Sequence, residues 1–260
     1  MFVYPRYKVL LKRAGNIISV AGIIFVALKL HEYSGELDFS RIGIKGWLII
    51  VVLVALYGIA NSTLAFAWRN LLAFFEVQVT HTWAFKVFGL SQIAKYIPGN
   101  VFHFVGRQAM GMSAGVAAIP LLKSNVWGLG FVIGTGAFFG VLTLPALIPA
   151  ISADVSILLF AMLCIIAFLS LFYVSLKLTR AFCWYLFFHT TAGFIFIGLL
   201  YLLSDFSAPL IFIFGSYVFA WLAGFITPGA PAGMGVREFI LLFLLKGMII
   251  EADLLLSVLI

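Results

Sequence analysis

Two apolar stretches of this chain are broken by one pattern, a Pro-Gly pair followed by Arg eight residues after the Gly. The first copy runs Ile97-Pro98-Gly99-Asn100-Val101-Phe102-His103-Phe104-Val105-Gly106-Arg107. The second runs Thr227-Pro228-Gly229-Ala230-Pro231-Ala232-Gly233-Met234-Gly235-Val236-Arg237-Glu238. Pro lacks the amide donor a helix needs and Gly lacks backbone restraint, so Pro98, Gly99, Pro228, Gly229 and Pro231 are expected to interrupt helices. The surrounding sequence is 64% hydrophobic and only 10% charged, with a mean hydropathy of +1.19. A soluble domain carries about 25% charged residues. The expected fold is therefore all-α: one polytopic membrane helix bundle over 1–260, with an internal repeat of the Pro-Gly…Arg motif and re-entrant or broken half-helices.

Crossing about 30 Å of hydrocarbon takes about 20 helical residues. That ruler places spans near 14–30, 46–68, 124–148, 154–176, 181–203 and 209–226, and a last apolar stretch over 239–260 interrupted by Glu251-Ala252-Asp253. The run at 14–30 lacks a small-residue cleavage site and reads as a retained anchor. The final Leu254–Ile260 has no polar tail, which reads as a helix cut short or ending against a partner. Residues 83–113 differ: each half is too short to cross, and Lys86, Ser91, Gln92 and Lys95 lie in the first. They are expected to form a re-entrant hairpin with Pro98-Gly99 at its tip. A surface-lying amphipathic helix is the alternative.

With that topology the basic residues segregate. Arg6, Lys8, Lys12, Arg13, Arg69, Lys86, Lys95, Arg107, Lys123, Lys177, Arg180 and Arg237 fall on one side, and Lys29, Arg41 and Lys45 on the other. The positive-inside rule then puts the N-terminus in the cytoplasm. The net charge of +7 fits membrane topology and anionic lipid rather than nucleic acid. Cys164 and Cys183 lie in apolar runs and read as free thiols, and the four histidines have no metal-ligand spacing, so no metal or cofactor is expected. Lys246, inside the last apolar run, is expected to snorkel or to pair with Glu251. Asn61, Ser62, Thr63, His189, Thr190, Thr191, Ser216 and Tyr217 read mostly as interhelical hydrogen bonds. Gly130, Gly134, Gly136 and Gly140 read as close-packing positions.

Paired breaks in one membrane chain point to a transporter-like binding site. At 100° per residue from Asn100, His103 falls at about 300° and Arg107 at about 340°, so one face carries all three. A helix N-terminus offers free amides and positive potential, and an Arg fork suits phosphate oxygens. Gly233 and Gly235 give a second flexible turn ahead of Arg237 and Glu238. Asn100, His103, Arg107, Gly233, Gly235, Arg237 and Glu238 are thus candidate anion or headgroup residues, with Arg107 and Arg237 serving one site. A purely structural pair of broken helices, with Arg237 and Glu238 bridging within the bundle, is the alternative. Four spans between the breaks would put both at the cytoplasmic side, as parallel repeats; one miscounted span would make them inverted.

The segments Lys95–His103 and Pro228–Glu238 resemble the two signature segments of the lysylphosphatidylglycerol synthase transmembrane-region family. This is the flippase-like membrane domain of the bacterial multiple peptide resistance factor and its stand-alone relatives. The resemblance follows motif order along nearly the whole chain, with Phe102 where Trp is usual and Ala232 where Gly is usual. It implies a bacterial inner-membrane protein whose fused relatives carry aminoacylated phospholipid across the bilayer. The expected partner is an anionic phospholipid or a phosphate-containing lipid-linked substrate, with a homo-oligomer or envelope-synthesis partner also open. These 260 residues are not expected to include the soluble aminoacyltransferase domain of the fused relatives; only Glu76 and Glu238 fall on the cytoplasmic side, with no paired Asp motif there, and no nucleotide-binding motif occurs. The expectation is a non-enzymatic lipid or lipid-linked-glycan translocase, or an accessory to one. A membrane-embedded polyprenol-dependent transferase and a non-catalytic scaffold of an envelope-assembly complex are the alternatives.

Overall fold

The computed structural model describes residues 42–96, 102–148, 150–228 and 230–260, with the isolated positions 24, 27, 28, 31 and 32. Most of the expected span 14–30, the hairpin tip with Pro98, Gly99 and Asn100, and Gly229 lie outside the described residues. The rest is helical. Helix α1 (Ile44–Phe74) is followed by α2 (His81–Gln92), a 3-10 turn (Ile93–Tyr96), α3 (Phe102–Ser113) and α4 (Ala118–Gly140). A second 3-10 turn (Val141–Thr143) leads into the short α5 (Leu144–Leu147), then α6 (Ala153–Val174) and α7 (Leu176–Leu203). The chain continues through α8 (Leu210–Ile226), a 3-10 turn (Pro231–Gly233), α9 (Val236–Leu244) and α10 (Glu251–Leu259). Four segments are long and apolar enough to cross a membrane: α1, α4 with α5, α6 and α7. This is a multi-pass α-helical membrane architecture.

Helices α1 and α7 form the central antiparallel pair. At one end Gly46 faces Leu202, and at the other the Lys177 ammonium donates to the Ala73 carbonyl at 2.8 Å. The end where α1 finishes is called the near end; the loops before α2, after α3 and before α7 share it. Arg69 holds the turn there by donating to the Val79 carbonyl at 3.0 Å. The far end carries the α5–α6 and α7–α8 connections. Helix α6 lies at the periphery and has little buried surface. Its outer face, Leu158, Ile165 and Leu169 among it, is exposed, as expected of a helix facing lipid, while Phe160 and Leu171 rest against the core.

Helix α8 departs from the sequence expectation that 209–226 is a full crossing. It runs antiparallel to α4, with Gly215 against Leu142, Phe219 against Gly140 and Leu222 against Gly136. Its last turn is therefore level with the middle of α4. Seventeen residues cover about 26 Å, and the break at Pro228 stops the helix inside the bundle. Helix α9 then turns back along α8, packing Leu241, Leu244 and Leu245 into the cluster that holds Phe212 and Ile213. The stretch 239–260 is likewise no single crossing. Gly247, at φ 74, sits in a turn between two nine-residue helices. Lys246 is exposed in that turn.

The α2–α3 hairpin thus enters from the near end and the α8–α9 hairpin from the far end. Three crossings separate them, and the parallel arrangement does not hold. The turn Ile93–Tyr96, which precedes the first break, lies against Pro231–Gly233 of the second. Of the close-packing glycines, Gly136 and Gly140 seat α8, while Gly130 and Gly134 face open space. Several of the expected interhelical hydrogen bonds instead close within a helix. Asn61 donates to Tyr57, Ser62 to Gly58 and Thr63 to Ala60, because a short polar side chain reaches its own preceding turn first.

Candidate functional site

Helix α2 starts at Thr80, whose hydroxyl accepts from the Trp83 amide at 3.2 Å, an ordinary N-cap. Its buried face, Ala84, Val87, Phe88 and Ser91, packs on α1 and α3. On α3 the buried positions are His103, Arg107 and Gly111, which is the face the sequence periodicity selects, while Phe102 and Val105 point outward. Only 3% of Arg107 is exposed. Its guanidinium lies 4.0 Å from the centroid of the Phe88 ring, with Trp68 at 5.2 Å and Phe104 at 5.6 Å. Its hydrogen bonds are long and go to neutral groups, Ser91 Oγ and Asn125 Oδ1, both at 3.4 Å. Asn125 is tied in turn to Gln108 at 3.3 Å, and Gln108 to the Ala118 carbonyl at 2.8 Å. Among the described residues no carboxylate pairs with Arg107.

The second break is built differently. Ala232 (φ 52), Gly233 (φ 81) and Gly235 (φ 84) place three left-handed residues within four positions, and Gly233 lies against Gly224 of α8 backbone to backbone. A Cβ on either glycine would meet the other's Cα at 2.9 Å. Ala232 stands in the left-handed region, which explains why Gly suits that position. Glu238, wholly buried, accepts from the Gly235 amide at 2.6 Å through Oε2. Its Oε1 accepts from Arg237 Nη2 at 3.1 Å and Nε at 3.3 Å. Arg237 also donates to the Val258 carbonyl at 2.8 Å, fastening α10. Arg237 and Glu238 therefore form a neutral pair.

Between the breaks lies a cavity of about 530 Å³. Its polar lining is Lys95, Gln92, Arg237, Asn61 and Tyr57, with Trp221 among the apolar walls. Tyr57 and Asn61 sit near the middle of the 31-residue α1, so the cavity is at mid-depth. A pocket of about 30 Å³ adjoins it toward the near end, lined by His103, Arg107 and Tyr185 and sharing Gln92, Lys95 and Trp221. A third of about 180 Å³ continues toward the far end past Arg237, Tyr57, Tyr217 and Ser257. Arg107 and Arg237 line different cavities, and Lys95 lines the two that join them. His103 Nδ1 and Gln92 Oε1 are buried and have no hydrogen-bond partner among the described residues. Among the described residues no Asp or Glu lines any of the three cavities.

Of the expected site residues, Arg237 lines the central cavity and His103 and Arg107 the adjoining pocket, while Gly233, Gly235 and Glu238 shape the turn and the pair behind Arg237. The sequence marked Lys95 as a charge in a short half-helix and as the start of a signature segment, and Gln92 as a polar residue there, but neither as a site residue. A cation directly before a Pro-Gly break, in a segment too short to cross, was the available signal. Asn61, Tyr57 and Trp221 carry no local signature; their helices bring them there. Among the described residues no group of three metal-ligating side chains occurs. No family model matches this chain, and no curated protein matches it. The class the fold defines is a multi-pass helical membrane protein with broken helices around an interior polar cavity.

Proposed function

We propose that this protein is a lipid or lipid-linked-glycan translocase, or an accessory to one, that holds a phosphate-bearing headgroup in the mid-depth cavity. The observation that carries this reading is Lys95. It lines a cavity of about 530 Å³, within the range typical of ligand pockets, and no carboxylate pairs with it among the described residues. An uncompensated cation inside a bundle is costly, so a counter-ion is expected to visit it. Broken helices meeting from opposite ends are the arrangement by which transporters expose one site to either side. The reading is non-enzymatic. Glu238 is the acid closest to the breaks in sequence, and its two oxygens are committed to Gly235 and Arg237. The expected setting is a bacterial inner membrane, with the near end, where Arg69, Lys123 and Lys177 gather, facing the cytoplasm.

The test is reconstitution into phosphatidylcholine vesicles with a trace of fluorescent phosphatidylglycerol, read by a membrane-impermeant quencher. Wild-type protein makes the inner-leaflet probe accessible. Lys95→Gln loses that activity and Lys95→Arg keeps part of it. Equal movement with wild type and Lys95→Gln rules out this site. If wild type moves neither this probe nor a fluorescent polyprenyl-phosphate sugar, the translocase reading falls.

A further inference from the structure

The charge around the cavity narrows the kind of headgroup it takes. Among the described residues, Lys95, Arg107 and Arg237 are the cations along the adjoining cavities, and the single carboxylate in contact with any of them is Glu238, behind Arg237. In the central cavity Arg237 is neutralised and Lys95 is not. That leaves a surplus of one positive charge facing the space, which matches a phosphodiester.

Gln92 Oε1 adds a second requirement. It is a buried acceptor without a donor, on the wall shared by the central cavity and the Arg107 pocket. Gln92 itself lines both spaces, so a turn of its amide brings this acceptor to a ligand hydroxyl, and a buried acceptor left empty is unfavourable. An ammonium is also a donor. It would enter beside Lys95 with no carboxylate among the described lining residues, and like charges in a poorly solvated interior repel strongly.

We propose that the cavity between the two breaks selects an anionic, hydroxyl-bearing phosphodiester headgroup and rejects one that carries an added ammonium. This rests on the translocase reading and sharpens its substrate. It also sets this chain apart from the expectation of an aminoacylated cargo. Phosphatidylglycerol and a polyprenyl phosphoryl sugar share the selected chemistry.

The purified full chain in detergent is titrated with dioleoylphosphatidylglycerol, its lysine ester, dioleoylphosphatidylcholine and a polyprenyl phosphoryl hexose, with binding read by native mass spectrometry. Phosphatidylglycerol or the phosphoryl hexose is expected to bind about tenfold tighter than the lysine ester and phosphatidylcholine, a difference of about 1.4 kcal/mol. Whichever of the two binds tighter identifies the source of the phosphodiester. Lys95→Gln erases the preference and Lys95→Arg retains it. Gln92→Glu, nearly isosteric, supplies the missing carboxylate and shifts preference toward the lysine ester. The proposal is overturned if wild type binds the lysine ester as tightly as phosphatidylglycerol, or if Gln92→Glu leaves the order unchanged. Vesicle transport separates the two ideas. Movement of all these lipids without charge preference removes the selectivity and leaves the translocase, whereas movement of none removes the translocase.

Discussion

The two breaks share a Pro-Gly pair and an Arg at the same spacing, yet they use the Arg in opposite ways. Arg107 is wrapped by Phe88, Trp68 and Phe104 and makes two long bonds to neutral partners. Arg237 is spent on Glu238 and on the Val258 carbonyl. The first break brings positive charge to the interior and leaves it uncompensated among the described residues. The second is internally balanced and works as a fastener between α9 and α10. Equal spacing in sequence therefore does not give equal chemistry. What decides is whether the following residue is an acid that can fold back to the helix start, as Glu238 does and Gln108 cannot.

The largest effect separating the two is expected from Glu238→Gln, which leaves Arg237 without its counter-charge. The loss is about 3 kcal/mol, at the low end for a buried pair because Arg237 stays one-fifth exposed. Thermal unfolding in detergent measures it. An unchanged midpoint would mean that the second break is not held by this pair. Gly224→Ala comes next, since its Cβ would meet backbone atoms of Gly233 at 2.9–3.0 Å. Overpacking of this kind costs about 1–3 kcal/mol, and both thermal stability and transport should fall because the turn is displaced. Arg107→Met is expected to cost about 1 kcal/mol of stability, since lost stacking is offset by removing a buried unpaired charge. Transport should nonetheless be abolished. If Arg107→Met destabilises as much as Glu238→Gln, the contrast between the breaks is wrong. The smallest effect is a gain: Ala232→Gly relieves the left-handed backbone at φ 52 and should add about 0.5–1 kcal/mol.

Much of this architecture was legible in the sequence. Helices α1, α4, α6 and α7 come from apolar runs longer than the bilayer demands. The two half-helices α2 and α3 were visible because each is too short to cross and carries polar residues. The buried face of α3 followed from its periodicity. The second hairpin was hidden. The run 209–226 is just long enough to pass for a crossing, and 239–260 is apolar on both sides of Gly247, so composition does not mark the turn. Lys95 escaped as a site residue because its partners arrive from α1 and α8, far away in sequence. The possibility that Arg237 and Glu238 bridge within the bundle was readable, since an acid at the third position of a helix reaches back to its cap.

The account turns on the two hairpins entering from opposite ends, and the sidedness of position 246 tests that most directly. In a background with Cys164→Ala and Cys183→Ala, single cysteines at Gly115, Ser207 and Lys246 are treated with a membrane-impermeant maleimide in vesicles of one orientation. The account predicts that the cysteine at 246 labels from the same side as the one at 207, and from the side opposite to the one at 115. A cysteine at 246 that labels with the one at 115, or stays unlabelled from both sides, would contradict it.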